Sequence, residues 1–335
     1  MKKIHICVFT GTRAEYGLLR PFMELVRNDK SLGLQIIVSG MHLSRKFGYT
    51  YREIVKDGFK IDYKAIMPVE GDSPLSLCSS VGAGLTAIAR GYQKLKPDAV
   101  VILGDRFEAL SAAIAAVFLR IPIIHLHGGE STFGLIDEPI RHAITKMSWL
   151  HFTSTEKYRN RVIQLGENPE MVFNVGAIGL DNIAGLNLLS RAELCKQLNI
   201  DLNSRIAAIT FHPVTLDSES PGKQFSSLLD ALQSFPEISP IFTMPNADPG
   251  NSEIVRLINE YVKKNGLRAR AFTSLGQLRY LSLLKHSDIV IGNSSSGIIE
   301  APSFFIPTVN IGDRQKGRVQ GGTIINCFPR SLSIV

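Results

Sequence analysis

Ionisable and hydroxyl side chains gather just after short apolar runs, at spacings that suit holding an anion and moving protons. In GTRAEY at 11–16, Arg13 stands in a strand-to-helix turn. A guanidinium beside backbone N–H groups there suits a diphosphate, and a charge capping a sheet edge is the plainer account. The turn lacks the G-x-G-x-x-G spacing, which counts against a NAD site. LGDRFEAL at 103–110 repeats the arrangement, with Asp105 and Arg106 at the carboxyl edge and Asp105 also a candidate N-cap. In HLHGGE at 125–130, His125 and His127 would share one face at strand spacing, while Gly128 and Gly129 allow a tight turn presenting Glu130. Asp137, Glu138, Arg141 and His142 then open a helix, with Asp137 and Arg141 spaced for an ordinary i, i+4 ion pair. Two histidines and a carboxylate raise the question of a metal, but no further ligand completes the set convincingly, and none is assigned.

The second half offers hydroxyls and amides. ITFHPVT at 209–215 sets His212 between a strand and Pro213, where the backbone must leave the sheet, a poor place for a buried structural histidine. IGNSSSGIIEAPSF at 291–304 carries Asn293, Ser294, Ser295 and Ser296 ahead of a short helix bearing Glu300. Serine hydroxyls and first-turn N–H groups form an anion cradle, and a carboxylate one turn later can accept hydrogen bonds from ribose hydroxyls. A plain N-cap run is the competing account of the serines.

Such groups need strands that end together. Apolar runs at 4–9, 34–38, 99–103, 123–126 and 150–153 alternate with helix-length segments such as 18–26, 107–118 and 138–149. That rhythm belongs to βαβ units on a parallel sheet. A looser region at 176–204 precedes a second series at 206–211, 240–244, 288–291 and 308–311, which puts the boundary near 176–185 and the domains at 1–178 and 179–335. A chain of 335 residues fits two units of roughly 150–170 residues better than one open sheet. The expected fold is α/β, with two Rossmann-like domains and the site in the cleft between them. After the strand-like stretch 322–327 a covering helix is still wanted, so the chain reads as cut short at Val335, leaving some apolar surface exposed.

Composition narrows the class of ligand. At 44% hydrophobic and 20% charged residues there is apolar material for two cores and little reason for long disorder. The net charge of +7 is scattered, without the Lys/Arg clusters of nucleic-acid or membrane binders, and is read as a bias toward anionic ligands. Cys7, Cys78, Cys195 and Cys327 lie far apart with no C-x-x-C spacing, which suits a reducing cytoplasm rather than disulfides or zinc. The apolar run after the first lysines is too short for a signal peptide, and nothing approaches the roughly 20 apolar residues that span a bilayer.

Taken in order, GTRAEY, GDRFEAL, HLHGGE, DEPIRHAITK, FHP and GNSSSGIIEAPSF, with IGDRQKGR at 311–318, resemble the UDP-N-acetylglucosamine 2-epimerases. The likeness is strongest to the hydrolysing branch that feeds sialic-acid-type biosynthesis, and it runs from Ile4 to about Arg318. It implies a fold of the glycosyltransferase-B type, with UDP held mainly by the C-terminal domain and the sugar facing the N-terminal one. It implies no cofactor and no metal, a UDP-sugar as partner rather than nucleic acid or membrane, and a cytoplasmic homodimer or homotetramer.

The resemblance also carries residues. Arg13, Asn246, Ser294, Ser295, Glu300 and Arg314 match nucleotide-binding positions, with Arg106 near the phosphates and Arg141 on the substrate side. Asp105 and Asp137 match carboxylates, and His212 matches a histidine near the leaving group. Better-known members carry glutamate where this chain has His127, with Glu130 retained. The expectation is that His127, Asp105 and Asp137 share the proton transfers, and that the histidine reflects a modified sugar such as the 2,4-diacetamido-trideoxyhexose of the legionaminic acid route. The implied reaction is an anti elimination of UDP through a 2-acetamidoglucal followed by hydration. A non-hydrolysing epimerase, a glycosyltransferase of the same fold and an inactive nucleotide-sugar sensor are the alternatives.

Overall fold

The computed structural model describes residues 3–69, 71, 73–217, 219–248 and 250–335. Its first seven strands are β1 (Ile4–Thr10), β2 (Leu32–Val38), β3 (Tyr63–Lys64), β4 (Ala99–Leu103), β5 (Ile123–Leu126), β6 (Leu150–Thr153) and β7 (Val172–Asn174). Six more follow: β8 (Arg205–Thr210), β9 (Ile238–Thr243), β10 (Arg270–Phe272), β11 (Ile289–Gly292), β12 (Thr308–Ile311) and β13 (Ile324–Cys327). They form two parallel sheets, ordered β3-β2-β1-β4-β5-β6-β7 and β10-β9-β8-β11-β12-β13. The α/β class and the pair of Rossmann-like sheets expected from the sequence are borne out.

The strands read as continuous apolar runs because helices cover both faces of each sheet. In the first sheet Cys7, Phe9, Val100 and Ile102 pack on one side with Ile88, Tyr92 and Ala113. Their neighbours Ile6, Val8, Val101 and Leu103 pack on the other with Leu19 and Met23. The second sheet splits alike, Ala207 and Ile209 packing against Phe225 and Ile254, and Ile206 and Ala208 against Leu281 and Leu284.

The chain forms two compact units, Met1–Glu130 with Ile136–Asn182, and Ser131–Leu135 with Ile183–Val335. Within each, the direction of winding reverses once, between β1 and β4 in the first and between β8 and β11 in the second. The carboxyl ends of strands at such a reversal are where open α/β sheets bind ligands.

The first helix runs Arg13–Asn28, starting earlier than the apolar pattern from residue 18 suggests. The cause is a capping box: Thr12 Oγ1 accepts from the Glu15 N–H, and the Glu15 carboxylate accepts from the Gly11 and Thr12 N–H groups at 2.7 and 3.3 Å. Among the described residues no helix is long and apolar enough to cross a membrane. The four cysteines are unpaired, and Cys78 is exposed on the helix Pro74–Leu95.

Candidate functional site

At the reversal of the first unit, the turns after β1 and β4 meet over buried acids. Arg13 is the first residue of its helix, and Arg106 is the N-cap of the helix Phe107–Phe118. Arg106 Nε lies 3.1 Å from Glu108 Oε2, and Glu108 is fully buried. Burial first, and the nearby Glu108 carboxylate second, push the Glu15 carboxyl up from 4.5 to about 8.

Asp105 does not cap the helix; it pairs with Arg141. That guanidinium is 1% exposed and donates to Asp105 Oδ2 (2.7 Å from Nε), to Glu138 Oε2 at 2.6 Å and to the Glu130 carbonyl at 2.8 Å. Burial alone would lower the Arg141 pKa, but the Asp105 and Glu130 carboxylates outweigh it and hold it above its ordinary value. Arg141, expected to meet substrate, therefore spends its fork on Asp105 and on its own helix Asp137–Met147. Asp137 opens that helix as its first residue, and His142 Nε2 sits 3.2 Å from Glu138.

The two histidines of HLHGGE part company. His125 ends inside the unit, with Nε2 2.8 Å from the Gly104 carbonyl and Nδ1 3.2 Å from Thr145 Oγ1, and burial pushes its pKa down to about 4. β5 stops at Leu126, and His127 adopts φ +64°, so the strand alternation that would align the pair is broken. His127 Nδ1 instead lies 3.1 Å from Glu130 Oε1, while its Nε2 accepts the Ile178 N–H at 3.3 Å. Ser154 Oγ donates to the same Glu130 oxygen at 3.0 Å. The turn itself is enforced by Gly129, at φ +79°, where a Cβ would sit 2.4 Å from the Tyr158 carbonyl oxygen.

In the second unit the turns after β8 and β11 are tied by a reciprocal pair. The His212 N–H donates to Asn293 Oδ1 at 2.7 Å and Asn293 Nδ2 donates back to the His212 carbonyl at 2.8 Å. The Asn246 N–H donates to His212 Nδ1 at 3.3 Å, so the neutral imidazole carries its proton on Nε2, the form that can donate to a leaving oxygen. Arg314 Nη1 and Gln315 Nε2 both donate to the Asn293 carbonyl, at 3.2 and 2.8 Å. Ser294 caps the helix Ser295–Ile299, accepting from the Ser296 N–H, and Glu300 follows at its end. Ser295 and Glu300 are partly exposed, as are Asn246, Ser294 and Arg314.

His212, Asn246 and Arg314 are thus joined through Asn293 or by direct hydrogen bonds at the strand ends of the second unit, with Ser294 and Ser295 next in the chain, and Asp105, Glu130 and His127 are linked in the first through Arg141 and Glu130, with Arg106 next to Asp105. Sequence reasoning missed the supports: Glu15, Glu108, Ser154, the Ile178 N–H and Gln315. Glu15 and Glu108 stand within the quoted motifs and their acidity was the available signal; Ser154 and Ile178 carry none. Among the described residues no group of three or more His, Cys, Asp or Glu could hold a metal ion.

Comparison with known proteins gives consistent results. The family model described as UDP-N-acetylglucosamine 2-epimerase matches residues 24–335. The chain is 45% identical over 326 residues, 97% of its length and 85% of the relative's, to a Campylobacter jejuni GDP/UDP-N,N'-diacetylbacillosamine 2-epimerase (hydrolyzing). It is 42% identical, over 100% of its length and 85% of the relative's, to the Escherichia coli polysialic acid biosynthesis protein P7. Among solved structures, the UDP-GlcNAc 2-epimerase of Neisseria meningitidis bound to UDP-GlcNAc superposes with a TM-score of 0.80 at 19% identity, over 100% of this chain and 89% of that one.

Proposed function

We propose, from the premise that the chain belongs to the UDP-N-acetylglucosamine 2-epimerase family, that it is a hydrolysing member converting UDP-N-acetylglucosamine and water to N-acetylmannosamine and UDP. The observation that carries this is the 45% identity, across 97% of the chain, to a relative named as a hydrolyzing 2-epimerase.

In the proposed reaction the sugar's C1–O bond breaks and UDP departs with the bonding pair, while a base takes the C2 proton. A 2-acetamidoglucal remains; water then adds at C1 and a proton enters C2 from the opposite face. Asn246, Ser294, Ser295, Glu300 and Arg314 of the second unit supply hydroxyls, amides and a cation suited to a nucleotide diphosphate, and Arg13 and Arg106 of the first supply cations suited to an anionic group. His212, with its proton on Nε2, donates to the departing oxygen. Asp105, Glu130 and Asp137, with His127 beside Glu130, supply the proton-transfer groups. Arg141 acts through Asp105, since its own N–H groups are spent on protein acceptors.

The identity to the diacetylbacillosamine enzyme favours a second reading, the same reaction on UDP-2,4-diacetamido-2,4,6-trideoxyhexose. NMR of turnover in heavy water, with each UDP-sugar and no acceptor, decides between them. The expected result is UDP plus a free sugar, epimerised and deuterated at C2, from one substrate in strong preference. A UDP-linked epimer as final product, or no deuterium at C2, would overturn the hydrolysing reading.

A further inference from the structure

We propose that His127 is a positioning residue that aims Glu130, and does not itself carry the sugar's proton; this rests on the reading above, in which Glu130 serves the sugar. A backbone N–H can only donate, so the Ile178 N–H occupies the Nε2 lone pair of His127. The neutral imidazole must then hold its proton on Nδ1, which faces Glu130 Oε1 at 3.1 Å. Nε2 is thus taken as an acceptor, and Nδ1, bearing the proton, lies against the Glu130 carboxylate. A base needs an open lone pair directed at the substrate, and this ring has none.

The surroundings fix the pair from both ends. The His127 N–H continues the sheet, donating to the Phe152 carbonyl at 2.8 Å, before φ +64° throws the side chain out of the strand alternation and toward Glu130. Few non-glycine residues accept that backbone conformation, which is an outlier kept where the surroundings impose it. Ser154 Oγ donates to the same Glu130 Oε1, and Arg161 donates to the Gly129 carbonyl of the intervening turn. One carboxylate oxygen is thereby held by the Ser154 hydroxyl and faced by the proton-bearing His127 ring, which sets the direction of the other. This is the logic by which an aspartate fixes a histidine in a catalytic triad, with the roles exchanged.

Two substitutions separate the bonds. Asn tolerates positive φ, and its amide N–H reaches where Nδ1 stands, so H127N keeps the donor to Glu130; Gln places its polar end near Nε2 and loses it. H127N is expected to lose less than about tenfold in kcat, and H127Q about 100-fold at nearly constant KM, the cost of a misaimed group. If H127N abolishes C2 deuterium exchange, or if H127Q leaves kcat unaltered, the proposal is wrong. Nitrogen-15 histidine NMR of the wild-type protein gives a readout that needs neither variant. The neutral ring should appear as the Nδ1–H tautomer, and an Nε2–H tautomer would overturn the assignment. The NMR result stands whether or not the wild type turns over UDP-sugars, whereas absence of turnover in the wild type would refute the functional reading alone.

Discussion

A guanidinium taken out of water costs several kcal/mol unless its N–H groups find acceptors. Arg141 finds them in Asp105, Glu138 and the Glu130 carbonyl, so three parts of the first unit's carboxyl edge hang on one side chain. R141A should leave Asp105 and Glu138 facing each other's charge and destabilise the protein by about 3–5 kcal/mol, measured as the shift in a urea transition. R141K should recover only part of that, because an ammonium cannot span the same acceptors as a planar fork. Helical spacing alone suggested an Asp137–Arg141 pair; the ion pair recorded within the helix is to Glu138, at i, i+3, and the partner in Asp105 lies 36 residues away. Local periodicity is blind to the second and indifferent between i+3 and i+4 for the first.

Elements place these residues through their ends. β11 ends at Gly292, at φ +137°, where it pairs with Thr210 of β8. A Cβ at that position would fall 2.0 Å from the Thr210 carbonyl oxygen, and the obstacle is backbone, which has no rotamer to yield. G292A should therefore separate the strand ends that carry His212 and Asn293. The expected cost exceeds about 4 kcal/mol, seen as loss of soluble protein or as rapid cleavage of the second unit in limited proteolysis. The IGNSSSG motif was legible as a strand running into a helix cap, and Ser294 is that cap. What the motif did not disclose was that Asn293 faces His212, because that bond exists only once β8 and β11 lie side by side.

At the scale of the molecule, two doubly wound units repeat one solution, a sheet buried on both faces with its chemistry confined to strand ends. Burial of polar groups beneath those ends makes stability depend on pH. The Glu15 carboxyl, raised from 4.5 to about 8, favours the folded state while protonated; that contribution is complete below 4.5 and lost as pH rises through 8. His42, lowered by burial from 6.5 to about 3, favours folding while neutral; its contribution is complete above 6.5 and lost as pH falls through 3. The two slopes oppose each other between 4.5 and 6.5, so these groups give the first unit its broadest stability there, with a decline on either side. E15Q retains an oxygen for the Gly11 and Thr12 N–H groups but cannot ionise. Melting temperatures from pH 6.5 to 8.5, where the Glu15 slope acts alone, should therefore fall in the wild type and stay flatter in the variant.

By itself the sequence determined the elements and their chemistry. Short continuous apolar runs, helix-length spacing and the clustering of Arg13, Asp105, His212 and Ser294 at run ends are local facts, and local sterics and solvation suffice to express them. The order of motifs carried the family, because order and spacing along the chain survive without coordinates. Only the tertiary structure decided the pairings: Asp105 with Arg141, His212 with Asn293, and His127 held between Ile178 and Glu130. Each joins groups brought together by strand order or a forced turn. Hydrogen-bond direction, and with it the tautomer of a histidine, is set by whichever neighbour the fold supplies.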